Sequence, residues 1–288
     1  PTDYDRYAAA RIMAEEQRHG WQMAYLLMTY FGQQGRREAQ KLLERNAQDG
    51  DRLLGAFNRP MPHWLDFFCY TMFVDRDGKF QLGMLSTSAF KPLAASMGPM
   101  LKEESFHLGT GSNGLRRIIK AGVIPLDMLQ RYINKWVSTA HDLFGVDASS
   151  SAHWAYVWGI KGRWDERKKL DAGIEVNKEI LNEEGRGHYH QEIVGEVRKL
   201  CGYLPEGATQ LYVPHENFNR DIGATKGQHF NVDGTPFEGS EEDYAAYLTT
   251  VLPTAQDEVD LKDLFEQEWI ANKPMSTRQI ESGIGATA

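Results

Sequence analysis

Long hydrophobic runs are missing from this sequence of 288 residues. No stretch reaches the ~18 apolar residues that crossing a bilayer takes, which excludes a membrane-spanning helix. Basic charge is short as well: 32 Lys and Arg stand against 40 Asp and Glu, for a net charge of −8. A nucleic-acid binder normally carries a basic footprint, so that class is disfavoured. Cysteine is nearly absent. Cys69 and Cys201 lie far apart with no C-x-x-C spacing. Neither a disulfide framework nor a cysteine metal site is expected, and a reducing cytoplasm fits. Both thiols read as buried. The start, Pro1-Thr2-Asp3-Tyr4-Asp5, has no basic n-region, apolar h-region or initiator Met. It is not a signal peptide, and it is expected to be processed or to continue a longer protein.

What the chain does have is one short pattern twice. Glu15-Glu16-Gln17-Arg18-His19 reads E-E-x-R-H, and Glu103-Glu104-Ser105-Phe106-His107 reads E-E-x-x-H. Three residues along a helix bring a Glu and a His to the same face, one turn apart. A Glu-x-x-His pair from each of two facing helices, with further carboxylates, is the ligand set of di-iron carboxylate proteins built on four-helix bundles. Glu15 and Glu103 stand four residues before His19 and His107. Each is expected to reach the ring nitrogen of its own His that faces away from the metal, fixing tautomer and orientation. The alternative, a solvated acidic face with incidental histidines, leaves the doubling unexplained.

Periodicity places these motifs on helices. Residues 4–31 carry the stripe Ile12, Met23, Leu26, Leu27 and Tyr30, closed by Gly32. Arg37 to Arg45 reads as a short exposed helix. Between Trp64 and Phe73 nearly every residue is apolar, as in a helix buried all round. Whether it ends at the Asp77-Gly78 turn or runs on through Leu82 and Leu85 stays open. Pro92 opens the next helix, Pro99 predicts a kink in it, and Gly109, Gly111 and Gly114 suggest a bend near a site. Further helices are expected over 126–144, around 151–183 and from His188 to Leu200. From Tyr203 the pattern turns irregular, with a short helix near Glu241–Val251. The expected architecture is all-α: a ferritin-like four-helix bundle with extra helices over 1–202, lacking an N-terminal helix, and an irregular C-terminal extension over 203–288 packed on it.

A third carboxylate should come from the helix between the two motifs. Asp75 is the best candidate, because an acid at the end of so apolar a helix is costly to bury unless it is paired or binds metal. Against it stands the reading of Asp75 and Asp77 as solvated residues of a D-x-D-G turn. Asp66 is a weaker rival. The fourth carboxylate is expected upstream of Pro1. His141-Asp142 read as surface or satisfied core groups, and His188 and His190 point to opposite sides. Met72, Met84, Met97 and Met100 read as core filling, and Trp154, Trp158 and Trp164 as core or packing residues.

The E-E-x-R-H motif resembles both soluble di-iron monooxygenases and acyl carrier protein desaturases. The wider chain resembles the oxygenase components of benzoyl-CoA 2,3-epoxidases. That likeness is carried by Phe73–Leu82, by Asp142–Gly145 with Ser149 and Ser150, by Gly162–Trp164, by Pro214 and His215, and by Phe218–Gly223. It implies that Glu16, His19, Asp75, Glu104 and His107 are the metal-binding and catalytic residues of a centre of two iron ions. The family's remaining Glu lies upstream of Pro1, and the family has a longer connection near Lys120-Ala121. The activity implied is insertion of one oxygen of O2 into the ring of an aryl-CoA thioester, giving a 2,3-epoxide. A separate reductase component would supply electrons from NADPH. The apolar residues Ile12, Met23, Phe68, Met72 and Met100 would wall a dry cavity. A homodimer is a further expectation, with no nucleic acid and no membrane as partner. The competing functions are a fatty-acyl desaturase or other di-iron oxidase, and a non-catalytic ferritin-like subunit.

Overall fold

The computed structural model describes residues 1–45, 54–162, 171–175 and 177–266. Helix α1 (Asp3–Tyr30) starts at a Thr2 capping box, in which Thr2 and Asp5 satisfy each other's backbone N–H. A reversal at Phe31 leads into α2 (Gly32–Glu44), which packs on α1. The apolar segment then forms α3 (Trp64–Cys69), a π-helical turn (Tyr70–Val74) and α4 (Asp75–Leu85) as one continuous run. The Asp77-Gly78 turn is therefore not formed. Asp77 is buried within α4, where it accepts from Gln81 Nε2 at 3.1 Å.

Helix α5 (Lys91–Ala121) runs through Pro99 and all three glycines. Gly111 and Gly114 make a close helix contact, whereas a Cβ on Gly109 would meet nothing within 4 Å. A Cβ on Gly111 would lie 2.5 Å from the Met72 nitrogen, and one on Gly114 2.2 Å from the Phe68 ring. Their bareness lets α5 lie directly against α3 and the π turn. Helix α6 (Leu126–Leu143) closes the packing with Leu129, Ile133, Trp136 and Val137, all fully buried. The core runs between α3, α4, α5, α6 and α8 (Leu181–Cys201), where Tyr189 and Ile193 enter it.

The helix expected over 151–183 is broken. Helix α7 (Ser150–Val157) stops because the following backbone is taken up elsewhere: Gly159 O accepts from Ala89 N at 2.7 Å, and Gly162 N donates to Met84 O at 3.0 Å. Trp154 and Trp158 are exposed, at 57% and 68%, and so are not core. Trp164 lies outside the described residues. Beyond Tyr203 the chain is irregular up to α9 (Glu241–Val251), followed by a helix not expected from the sequence, α10 (Ala255–Glu266). This part is tied to α6 by specific polar contacts. Arg220 Nε and Asp221 N both donate to Asp142, at 2.5 and 2.9 Å, Asn134 donates to Val251 O at 2.9 Å, and Arg131 pairs with Asp257 at 2.5 Å. No strand occurs among the described residues, only an isolated bridge between Phe230 and Pro236. The chain has an all-helical, ferritin-like fold. Among the described residues no helix is long and apolar enough to cross a membrane.

Candidate metal centre

Helices α1, α4 and α5 bring the candidate ligands to one place. His107, fully buried on α5, turns Nδ1 toward three carboxylates: Glu16 Oε1 at 3.4 Å, Glu104 Oε2 at 3.5 Å and Asp75 Oδ2 at 3.6 Å. Glu16 Oε1 also lies 3.6 Å from His19 Nδ1, so this oxygen stands between the two imidazoles. Glu16, Glu104 and His107 form one group with ligand atoms within 4.8 Å of one another. Asp75 adjoins it through His107, and His19 through Glu16. The π turn contributes directly, since its wider register positions Asp75 at the start of α4. Such turns occur often at functional sites. Asp75 and Glu104 are buried, while the Glu16 side chain is half exposed.

The acids flanking the motifs are crossed. Glu15 meets His107 Nε2 at 2.9 Å, and Glu103 meets His19 Nε2 at 2.7 Å. The expected pairing within each helix is thus corrected. With Nδ1 turned inward, Nε2 projects across the gap between helices, where only the opposite helix can reach it. A Glu on Nε2 holds that nitrogen as the N–H donor and leaves the Nδ1 lone pair free for a cation. Each Glu is itself held by an arginine: Arg11 Nε bonds Glu15 at 2.8 Å, and Arg18 pairs with Glu103. Arg11 also stacks on the Phe106 ring at 3.9 Å. Phe106, where the first motif has Arg, therefore buttresses the arginine that holds Glu15.

The electrostatics are those of a site short of positive charge. Burial, then the charges of Glu104 and Glu16, push the Asp75 carboxyl well above its usual range. Burial also raises Glu104, against the pull of His107. For His107 burial acts downward, but Glu104, Asp75 and Glu15 outweigh it and lift the imidazole to about 9. Asp75 Oδ2, Glu104 Oε2 and His107 Nδ1 are buried without a hydrogen-bond partner. Unpaired buried polar atoms are normally avoided. Here three of them face one another, in a donor set of carboxylate and imidazole that suits iron. The residues fit a bound metal.

Other polar candidates are used elsewhere. Asp66 is fully buried; its Oδ1 accepts from Lys135 Nζ and Trp136 Nε1, each at 2.7 Å, while its Oδ2 has no hydrogen-bond partner and lies 3.2 Å from His63 Nε2. His141 lies 3.3 Å from His190, and Asp142 anchors Arg220, all away from the carboxylates. Met72, Met84, Met97 and Met100 are core residues, as expected. Cys69 is buried, and Cys201 is half-buried. Ile12, Phe68, Met72 and Met100 are buried, whereas Met23 is partly exposed. A cavity of about 80 Å³ lies between residues 54–59, α6 and Asp221-Ile222, and none of the proposed ligands lines it.

Residues 6–216 match the phenylacetic acid catabolic protein family. The chain belongs to that family. The match spans both Glu-x-x-His motifs and Asp75. The chain is also 35% identical to a benzoyl-CoA oxygenase component B from Aromatoleum evansii, over 307 aligned residues. That alignment covers 92% of this chain and 64% of the relative, so the chain spans under two thirds of the length of the protein it resembles. The resemblance carried by Phe73–Leu82 and the other segments thus holds at family level.

Proposed function

We propose that this chain is the oxygenase part of an aryl-CoA epoxidase, with Glu16, His19, Asp75, Glu104 and His107 as ligands of two iron ions. The observation that carries the reading is the convergence of three carboxylates on the inward nitrogen of a buried His, with three unpartnered atoms. The relative's name supports an aryl-CoA thioester such as benzoyl-CoA as substrate. Its designation as component B supports a separate partner component, to which we assign the role of an NADPH-fed reductase. A di-iron centre would supply the activation of O2 that places one oxygen on the ring.

The protein's own residues do the rest. The three carboxylates offset the charge of the cations. Glu15 and Glu103 hold both imidazoles in the tautomer that leaves Nδ1 free. Ile12, Phe68, Met72 and Met100 keep water from the buried ligands Asp75, Glu104 and His107, so charge there is stabilised by fixed groups instead of by solvent. Residues 1–202 are the unit we assign to this centre and 203–288 its extension, of which 267–288 lie outside the described residues. The free thiols suit a cytoplasmic setting.

The test has two parts. Iron-replete full-length protein should hold about two irons per chain, as two Glu-x-x-His pairs, Asp75 and one further Glu require. With reductase, NADPH and O2 it should oxidise an aromatic CoA thioester and leave fatty-acyl carriers unchanged. Desaturation of the acyl carrier without aromatic turnover would make the chain a desaturase. Zinc alone, or no metal, would make it a non-catalytic subunit.

A further inference from the structure

Asp75 reaches the other candidate ligands because the π turn rotates it there. The turn closes an i→i+5 bond, from Asp75 N–H to Tyr70 O. In an uninterrupted α-helix the same N–H would bond Thr71 O, and α4 would be turned by about 100° relative to α3. Val74 would then stand where Asp75 stands. A π turn is a rare register, and a buried one must find donors for the carbonyls it displaces from the i→i−4 ladder. Side chains supply them. Thr71 Oγ1 donates to Phe67 O at 2.9 Å. Arg76 Nε donates to Met72 O at 3.2 Å, and Tyr189 Oη donates to Phe73 O at 3.1 Å. The last two donors depend on α8. Tyr189 belongs to that helix and is fully buried, its ring against Phe80, Phe144 and His141. Arg76 is buried as well, and its Nη1 pairs with Glu192 of α8, whose two oxygens also accept from Lys79 Nζ at 2.9 Å. On another side of the turn, bare Gly111 of α5 leaves room for it: a Cβ there would lie 2.7 Å from Thr71 Oγ1.

We propose that α8 aims the ligand Asp75: Tyr189 and the Arg76–Glu192 pair are positioning residues that hold the π register. This rests on the di-iron reading above. The bonds of Tyr189 and Arg76 go to the carbonyls two and three residues before Asp75, not to its carboxylate. The apolar face of α4 sets the coarse register, since Phe80 and Met84 are buried and a turn of about 100° would withdraw both from the core. The donors tied to α8 set the fine one. A metal ligand must be held within about 0.5 Å of its productive place. Hydrogen bonds to the backbone just before it supply that precision, because their length and direction are narrowly defined. Helix α8 carries none of the assigned ligands. Its contribution to the centre is this hold on the backbone that presents one of them.

The experiment compares full-length wild-type protein with Tyr189→Phe and Arg76→Lys. Tyr189→Phe keeps the ring in the core and removes only the hydroxyl. Arg76→Lys keeps the charge opposite Glu192 and removes the Nε donor. Each protein is measured twice: by amide hydrogen exchange without metal, and by anaerobic titration with Fe(II) alone. In both variants exchange should quicken about 10-fold in peptides covering residues 70–77 and stay at the wild-type rate in α6. Fe(II) binding should weaken on the order of 10-fold for the ion at Asp75 and His107, and remain unchanged for the ion at His19. Unchanged exchange in both variants overturns the proposal. So does exchange that quickens equally in every helix, or equal weakening of both ions, since either marks a general loss of stability. Faster local exchange with unchanged Fe(II) affinity also overturns it, because the turn would then be held without aiming the ligand. Each of these results leaves the di-iron reading standing. Wild-type protein that binds no Fe(II) overturns both.

Discussion

Asp66 and Asp75 flank one π turn on a single helical run, and both are buried. Their surroundings are opposite. Asp66 meets a lysine, an indole N–H and a histidine, so its charge is answered within the protein. Asp75 meets two other carboxylates and a histidine that all three acids share. The same residue type at similar burial is thus structural in one place and poised for a cation in the other. The lesson is that burial of an acid does not identify a site. What identifies one is an excess of acids over the positive partners inside the fold: three carboxylates share the single imidazole of His107.

The largest expected effect breaks the comparison by truncating each acid in turn. Asp66→Ala leaves the Lys135 ammonium and the Trp136 N–H unanswered, which should cost roughly 3–5 kcal/mol of unfolding free energy. Asp75→Ala should leave the stability of metal-free protein unchanged or raise it, because it relieves like-charge crowding, while iron binding is abolished. Denaturant titration of both variants beside iron analysis checks this. Equal destabilisation by the two would show that Asp75 is a structural acid after all.

A smaller effect is expected from the crossed buttresses. Glu15→Gln and Glu103→Gln keep the fold and should each weaken iron binding or turnover by roughly 10–100-fold. Because the pairing is crossed, Glu15→Gln should disturb the metal at His107, and Glu103→Gln the metal at His19. Spectra of the two variants should therefore differ. Full iron occupancy and turnover in both would make these residues mere surface charges.

The smallest effect is a pH slope. His107 is lifted from 6.5 to about 9 in the metal-free fold. Its contribution to stability is complete below 6.5 and is lost as pH rises through about 9. Asp75 and Glu104, raised as well, act in the same direction. Acids that have a cation partner act oppositely: Asp5, held down by Arg117 despite burial, stabilises above the ordinary carboxylate value and loses that contribution as pH falls. Metal-free protein should thus lose stability from pH 6.5 to 9, and iron, which displaces the proton from His107, should flatten the slope. A metal-free profile that is already flat would contradict the crowding of acids.

Much of this was legible in the sequence wherever the information is local. Glu16 with His19, and Glu104 with His107, share a helix face by spacing alone, and the apolar run at Trp64–Phe73 marked the buried helix. The choice between Asp66 and Asp75 was less secure, because the partners that separate them, Lys135 and Trp136, come from a distant helix. The crossed pairing was invisible for the same reason, being a property of two helices together. No local residue signal announces the π turn. Helix α10 was a different kind of miss. Thr254 and Asp257 cap each other, with Thr254 N to Asp257 Oδ2 at 2.8 Å, and T-x-x-D is a readable start signal.

Glu15 and Glu103 each hold the histidine of the other helix, and that makes the centre an interlock. Neither motif is complete on its own helix: each carries a Glu and a His that can bind metal, but not the group that orients its own ring. A slide of α1 along α5 by a single turn, about 5.4 Å, would leave every ligand on its helix and release both imidazoles together. Helix register and imidazole orientation are therefore one variable. Anything that shifts α1 against α5 switches both histidines at once.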